Sequence, residues 1–181
     1  MTKTLIHTTT VGCLFLSAVI AAEPTFKIHT IARPEGKKFG QTSAVDVDKD
    51  GDLDLFIGGR ITRNELPNAP ASQIMINEKG TFSPLAGDGY EIGLVTDAIA
   101  TDVDGDGWED LMITREWNSV LVLRNNEGKG FEPGEFPVID QKHGLWNSVI
   151  AVDLDQDGDQ DYVLGNLGEN HRFSISEQYP M

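Results

Sequence analysis

The sequence predicts an all-β protein assembled from a repeated sheet unit. A nine-residue acidic segment occurs three times, and short apolar runs flank every copy. Clusters of glycine and asparagine separate these runs, which is typical of turns between short strands. The copies begin 56 and then 51 residues apart, and a period of this size indicates a repeat architecture.

The acidic segment has the same pattern in all three copies. Aspartate occupies positions 1, 3, 5 and 9, and glycine occupies position 6. Such a row of carboxylates repels itself unless a cation lies among them, and hard oxygen donors at alternating positions suit Ca²⁺. The glycine gives the backbone the freedom to reverse direction around an ion. The copies are Asp46–Asp54, Asp102–Asp110 and Asp153–Asp161.

The apolar runs on both sides of each acidic segment predict a hairpin whose turn is the acidic segment itself. These runs are Thr42–Val47 with Leu53–Ile57, Ala98–Val103 with Leu111–Thr114, and Ser148–Val152 with Tyr162–Gly165. A second hairpin follows in the first two copies, with its turns at Asn77–Gly80 and Asn125–Gly130. Its predicted strands are Gln73–Ile76 and Thr81-Phe82, then Ser119–Leu123 and a strand that begins at Phe131.

Each unit therefore contains about four short strands, and a single sheet of this size cannot cover both of its faces. Such sheets stack on like neighbours around an axis, so the sequence predicts a partial β-propeller of about three four-stranded antiparallel blades. The units span about residues 39–88, 89–140 and 141–181. Only 28 residues follow Asp153, so we expect the last blade to be incomplete and the chain to be an N-terminal fragment of a longer propeller.

Residues 1–22 have the pattern of a signal peptide. Lys3 precedes an apolar run, Val11–Ala22, that ends in small residues and is too short to span a bilayer comfortably. Cleavage after Ala21 or Ala22 would leave a repeat region of residues 23–181, secreted or located in the periplasm or at the cell surface, with no stable membrane span. The alternative is a buried first helix or strand. A half-buried strand is predicted at Phe26–Ile31.

The charge of the chain excludes one class of partner. The net charge is −15, and the three acidic segments hold 15 of the 29 acidic side chains, so the acidity is concentrated in the loops. Three Ca²⁺ ions would offset six of these charges. Nucleic acid requires a basic face, which 14 lysine and arginine residues do not provide against this background.

The pattern Asp-x-Asp-x-Asp-Gly-x-x-Asp followed by an apolar strand resembles the FG-GAP or VCBS repeat. This repeat is the calcium-binding blade of the integrin α-subunit propeller and of many secreted bacterial proteins. Phe39-Gly40 also matches the dipeptide that names the repeat. Further segments resemble a secreted subgroup whose members often end in an ASPIC/UnbV-type domain, namely Gly58-Gly59-Arg60, Thr96-Asp97-Ala98, Glu116-Trp117, Trp146-Asn147-Ser148 and Gly165-Asn166-Leu167-Gly168 with Asn170.

The resemblance implies up to three bound Ca²⁺ ions. The implied ligands are four aspartate side chains and one backbone carbonyl in each loop. The side chains are those of Asp46, Asp48, Asp50 and Asp54, of Asp102, Asp104, Asp106 and Asp110, and of Asp153, Asp155, Asp157 and Asp161; the carbonyls are those of Asp52, Trp108 and Asp159.

An EF-hand loop begins similarly but requires a bidentate glutamate at position 12 and a helix on each side. Position 12 is Ile57, Ile113 or Leu164 in this chain, and these residues lie in predicted strands. The sequence therefore excludes the EF-hand.

Two classes of function are compatible with a calcium-binding propeller. The sequence favours a module for extracellular binding or adhesion, with an unknown protein or glycan ligand and Ca²⁺ in a structural role. The alternative is a fragment of an extracellular propeller enzyme, a polysaccharide hydrolase or lyase. Catalysis of that kind needs paired carboxyl groups outside the metal loops, and Asp97 and Glu116 are isolated candidates without an identified second partner. No catalytic residue is assigned.

Overall fold

A computed structural model describes residues 3–6, 26–29, 37–62, 67–85 and 89–167. The prediction of an all-β protein is confirmed, because the described residues are mostly in strands and include only a short helix, Pro137–Asp140. In the part of the chain that the structure describes, no helix is both long enough and apolar enough to cross a membrane.

Two short strands lie near the N-terminus. Strand β1 (Lys3–Ile6) pairs in parallel with β2 (Phe26–His29), which covers the first four residues of the strand predicted there. The apolar run Val11–Ala22 and the predicted cleavage site lie outside the described residues.

The first unit is a four-stranded antiparallel sheet in which each strand pairs with the next along the chain. The acidic loop joins the first two strands, as predicted, and a tight turn at residues 79–80 joins the last two. The strands are β3 (Lys37–Val45), β4 (Asp54–Thr62), β5 (Gln73–Glu78) and β6 (Thr81–Pro84).

The second unit repeats this order, and the third contributes two strands within the described residues. The second comprises β7 (Val95–Thr101), β8 (Asp110–Asn118), β9 (Leu121–Asn125) and β10 (Phe131–Pro133). The third comprises β11 (Gly144–Val152) and β12 (Asp161–Asn166), again joined by an acidic loop.

The second and third units share one sheet, which the sequence did not predict. Strand β8 has 9 residues whereas β7 has 7, so the end of β8 extends beyond its partner. Strand β11 pairs with this extension at Glu116 and Asn118. The result is a six-stranded sheet beside the four-stranded one, an arrangement consistent with partial propeller blades and not with a closed barrel.

The second strand of the second unit, β8, is apolar on both faces because it lies between the first and third units. Successive side chains of a strand point to opposite faces. Leu111 and Ile113 of β8 therefore pack with Phe56 of the first unit, whereas the intervening Met112 packs with Val149 of the third. This stacking explains why an uninterrupted apolar run follows the second acidic loop.

The first strands of the units lie side by side. Strand β7 contacts β3 on one side and β11 on the other, as expected of inner strands arranged around an axis. Tyr162 and Leu164 of β12 face the second unit, while Ile150 and Val163 on the opposite face are exposed. The stacking of units also places the acidic loops of the first two units near one another.

Candidate metal centre

Each acidic loop gathers three carboxylate groups into a compact cluster. One oxygen from each member lies within 4.8 Å of the others, a spacing that could hold a metal ion. The clusters are Asp46 with Asp48 and Asp50, Asp102 with Asp104 and Asp110, and Asp153 with Asp155 and Asp161.

Hydrogen bonds from backbone amides to aspartate side chains shape the loops, and the pattern recurs. The carboxylate at position 1 accepts the N–H of the glycine at position 6, at 3.2 Å for Gly51, 2.8 Å for Gly107 and 3.1 Å for Gly158. These glycines have φ of 91°, 89° and 99°, a left-handed conformation that side chains rarely adopt. Position 6 therefore requires glycine because the loop turns there.

In the first two loops, the carboxylate at position 9 is buried and holds the loop to the sheet. Asp54 is fully buried, and its Oδ2 accepts the N–H of Val47 at 2.8 Å while Oδ1 accepts the N–H of Asn77 at 2.7 Å. Asp110 is equally buried and accepts the N–H groups of Val103 and Asn125 at 3.1 and 2.8 Å. One side chain thus joins the start of its loop to the end of the third strand.

Burial and crowding act on the ionisation of these groups. Burial raises the pKa of Asp54 and of Asp110, and neighbouring loop carboxylates raise it further, although two backbone hydrogen bonds act in the opposite direction in each case. In the third loop, a hydrogen bond with the Asp157 carboxyl group and repulsion from it raise the pKa of Asp159. Burial and neighbouring carboxylates thus both disfavour the charged form of these three groups.

An asparagine at the end of the third strand supports the loop from outside. Asn77 Nδ2 donates to the carbonyl of Leu53 at 3.0 Å, and Asn125 Nδ2 donates to the carbonyl of Glu109 at 3.2 Å. Each Oδ1 also accepts an N–H of the following turn, from Gly80 at 2.7 Å and from Gly128 at 2.8 Å. The same residue type thus links the same two turns in both units.

The first two loops contact each other across the boundary between units. Asn125 Nδ2 also donates to the carbonyl of Val47 in the first loop at 2.9 Å. Lys49 Nζ lies 3.9 Å from the centre of the Trp108 ring, a favourable cation–π contact between the two loops. A Cβ added to Gly128 would lie 3.0 Å from the Cα of Asp48, so the second unit's turn packs closely against the first loop.

The donors fit a hard cation. All the clustered ligands are carboxylate oxygens, which suit Ca²⁺ or Mg²⁺ rather than soft metals. In the first loop, Asp46 Oδ1 is buried and has no hydrogen-bond partner among the described residues. A buried carboxylate oxygen left unpaired is costly, and a cation in the loop would satisfy it.

The structure brings together most of the aspartates predicted from the sequence. Asp54, Asp106 and Asp157 belong to their loops but not to the compact clusters. Asp106 Oδ1 instead accepts the N–H of Trp108 at 2.8 Å. The Asp52 carboxylate accepts the N–H of Lys79 at 2.9 Å, so it braces the loop against the next turn. Coordination by the carbonyls of Asp52, Trp108 and Asp159 stays a prediction.

The isolated carboxylates considered for catalysis have structural partners. Asp97 accepts the N–H groups of Ala98 and Val149 at 2.9 and 3.0 Å, which connects the second and third units. Glu116 forms an ion pair with Arg60 of the first unit.

The side chain of Trp146 is partly buried and packs against the core between the second and third units. Its Nε1 donates a hydrogen bond to the carbonyl of Lys142 at 2.9 Å.

Fold and site together define a β-sheet repeat protein that carries an aspartate-rich turn at the same place in every unit. Residues 102–164 match the family model described as FG-GAP-like repeat. The matched span begins at the first aspartate of the second loop and ends in β12, after the third loop. Residues 102–164 therefore form an FG-GAP-like repeat. A search of curated proteins found no match.

Sequence reasoning missed the supporting role of Asn77 and Asn125. In the sequence, both residues are recognisable only as members of a turn. A signal for their role was nevertheless present, since an asparagine follows the apolar residues of the third strand in both units. It also missed that position 4 of each loop adopts positive φ, at Lys49, Gly105 and Gln156. Two of these residues are not glycine, so composition gave no indication of that conformation.

We expect Asn125→Ala to lower the free energy of unfolding by about 2–3 kcal/mol, because a buried side chain would lose its bonds to both loops and to its own turn. Asn77→Ala should cost less, about 1 kcal/mol, because its side-chain bonds are exposed and remain within one unit. Denaturant unfolding of both variants measures the difference. Exposed Asn126→Ala is the matched control, and equal losses in all three variants would contradict the assigned role.

Proposed function

We propose that this chain is a calcium-binding repeat module in which each acidic loop holds one Ca²⁺ ion in a structural role. The observation that carries the proposal is the recurrence of one carboxylate cluster in all three loops, with three oxygens within 4.8 Å of one another each time. The match to the FG-GAP-like repeat over two of these loops supports it independently.

The proposed ligands follow the loop positions. Positions 1, 3, 5 and 9 supply carboxylates, and position 7 supplies a backbone carbonyl, in the three sets named from the sequence. The ion would neutralise charge that the loop otherwise concentrates. Because position 9 is also hydrogen-bonded to the third strand in the first two units, neutralising the loop would stabilise the sheet as well as the turn.

We further propose that the module acts outside the cytoplasm as a binding or adhesion unit for a protein or glycan. The signal-peptide pattern of residues 1–22 supports an exported chain, and weak Ca²⁺ sites suffice where that ion is abundant. Membership of the secreted subgroup stays a prediction. Unit stacking supports the binding role, because repeats of this kind create extended surfaces from strand ends and loops.

Removing calcium should lower the melting temperature. A ligand present at about a hundred times its Kd raises the free energy of unfolding by about 2.7 kcal/mol per site. In a chain of this size, that gain raises the melting temperature by roughly 5 to 10 °C. Scanning calorimetry with Ca²⁺, with Mg²⁺ and with chelator measures the effect. Identical melting curves in Ca²⁺ and in chelator would contradict the proposed structural role.

Asp106→Ala should weaken Ca²⁺ binding at the second loop by about tenfold or more, because losing even a supporting group costs a metal site this much. The other two loops should retain their affinities. Glu109→Gln is the matched control, since it removes one negative charge from the same loop at a position that is not a proposed ligand. Calorimetric titration measures the affinity of each variant. If both variants lose the same affinity, Asp106 contributes only its negative charge and is not a ligand.

The exported chain should begin at Ala22 or Glu23. Expression of the full sequence, followed by N-terminal sequencing of the chain recovered outside the cytoplasm, tests this. Substituting both Ala21 and Ala22 by a bulky charged residue should block processing, because it removes the small side chains that the cleavage site requires. Recovery of an unprocessed chain only in the cytoplasm would contradict export.

The choice between binding and catalysis can be made on extracellular polysaccharides and glycan arrays. We expect the Ca²⁺-loaded protein to bind a ligand reversibly without converting it, and chelator to reduce the binding through loss of structure. Retention on an array measures binding, and release of reducing ends or of unsaturated sugars measures turnover. Turnover of a polysaccharide would contradict the proposed binding function and favour the alternative, a hydrolase or lyase.

A further inference from the structure

A cation from strand β9 lies against the second acidic loop. Arg124 Nη2 forms an ion pair with Asp104 Oδ2. Asp104 is a member of the clustered carboxylates of this loop, together with Asp102 and Asp110. A guanidinium group therefore lies against a carboxylate that the proposed Ca²⁺ ion would use.

The strand that carries Arg124 holds this group at the loop. Arg124 directly precedes Asn125, whose N–H donates to Asp110 at 2.8 Å. The backbone next to Arg124 is thus hydrogen-bonded to the loop itself. Its side chain is 51% exposed and borders a cleft of about 260 Å³ that Asp106 and Glu132 also line. The guanidinium group has room to move away from Asp104 when another cation enters.

The first loop has an apolar residue at the equivalent place. Asn77 makes the same bonds in the first unit as Asn125 makes in the second, so the residue before it, Ile76, corresponds to Arg124. Ile76 is partly buried against the core between the units. The two loops share their aspartate pattern and differ in this neighbouring charge.

We infer that Arg124 is a built-in counter-ion that lowers the Ca²⁺ affinity of the second loop below that of the first. The inference rests on the proposed function. Before the ion binds, the guanidinium group offsets the repulsion among the loop carboxylates. When Ca²⁺ binds, the arginine either remains and repels the ion or gives up its pairing with Asp104. Both outcomes reduce affinity, by about tenfold for charges at this separation near solvent.

Calorimetric titration of the full chain with Ca²⁺ tests the inference in three proteins: the wild type, Arg124→Met and Arg124→Lys. Methionine keeps a long unbranched side chain and removes the charge, whereas lysine keeps the charge. We expect Arg124→Met to tighten one site about tenfold and Arg124→Lys to resemble the wild type. Equal affinities in the wild type and Arg124→Met would overturn the inference.

A double-mutant comparison assigns the effect to the second loop. In an Asp106→Ala background, which weakens that loop, Arg124→Met should leave the two remaining sites unchanged. A tightening of those sites instead would overturn the assignment. In chelator, Arg124→Met should change the melting temperature little, because a half-exposed ion pair contributes little to stability. In Ca²⁺ it should enlarge the calcium-induced rise, and an unchanged rise would argue against the inference.

Failure of the proposed function and failure of the inference about Arg124 give different results. If neither the wild type nor Arg124→Met binds Ca²⁺, the proposed function fails and the inference fails with it. If both bind with the same set of affinities, the proposed function stands and only the role of Arg124 is lost. Binding that is detectable at the second loop only in Arg124→Met would support both.

Discussion

The first two units depend on the buried carboxylate at the last position of the acidic loop. Asp54 and Asp110 have no exposure to solvent, and each is satisfied by one N–H from its own loop and one from the end of the third strand. A buried charge is costly unless it is hydrogen-bonded, so the loop and the sheet have to form together. The turn is therefore part of the unit's core and not an appendage to it.

Stacking extends this constraint from one unit to the next. Because the first strands lie side by side, the loops of the first two units meet, and Asn125 bonds to both of them. Lys49 of one loop also lies over Trp108 of the other. Folding thus concentrates negative charge from two units in one region, and the protein places lysine, arginine and backbone N–H groups there.

These internal cations and N–H groups offset the charge only in part. In the first loop an oxygen of Asp46 is buried without a hydrogen bond from the described residues, and in the third the carboxyl groups of Asp157 and Asp159 interact directly. The loops differ in this respect although their aspartates coincide. The second loop has Arg124 where the first has Ile76, so loops with the same aspartate spacing differ in the charge beside them.

The sequence by itself determined the strand–loop–strand repeat and the candidate ligands, because both depend on local spacing: alternation within strands, and a turn with glycine at position 6. It did not reveal the sheet shared by the second and third units, which depends on the pairing of β11 with the end of β8. Only the tertiary structure showed the contacts of Asn125 with Val47, 78 residues away, and of Arg124 with Asp104. Such contacts arise when units stack, and no local pattern encodes which side chains then meet.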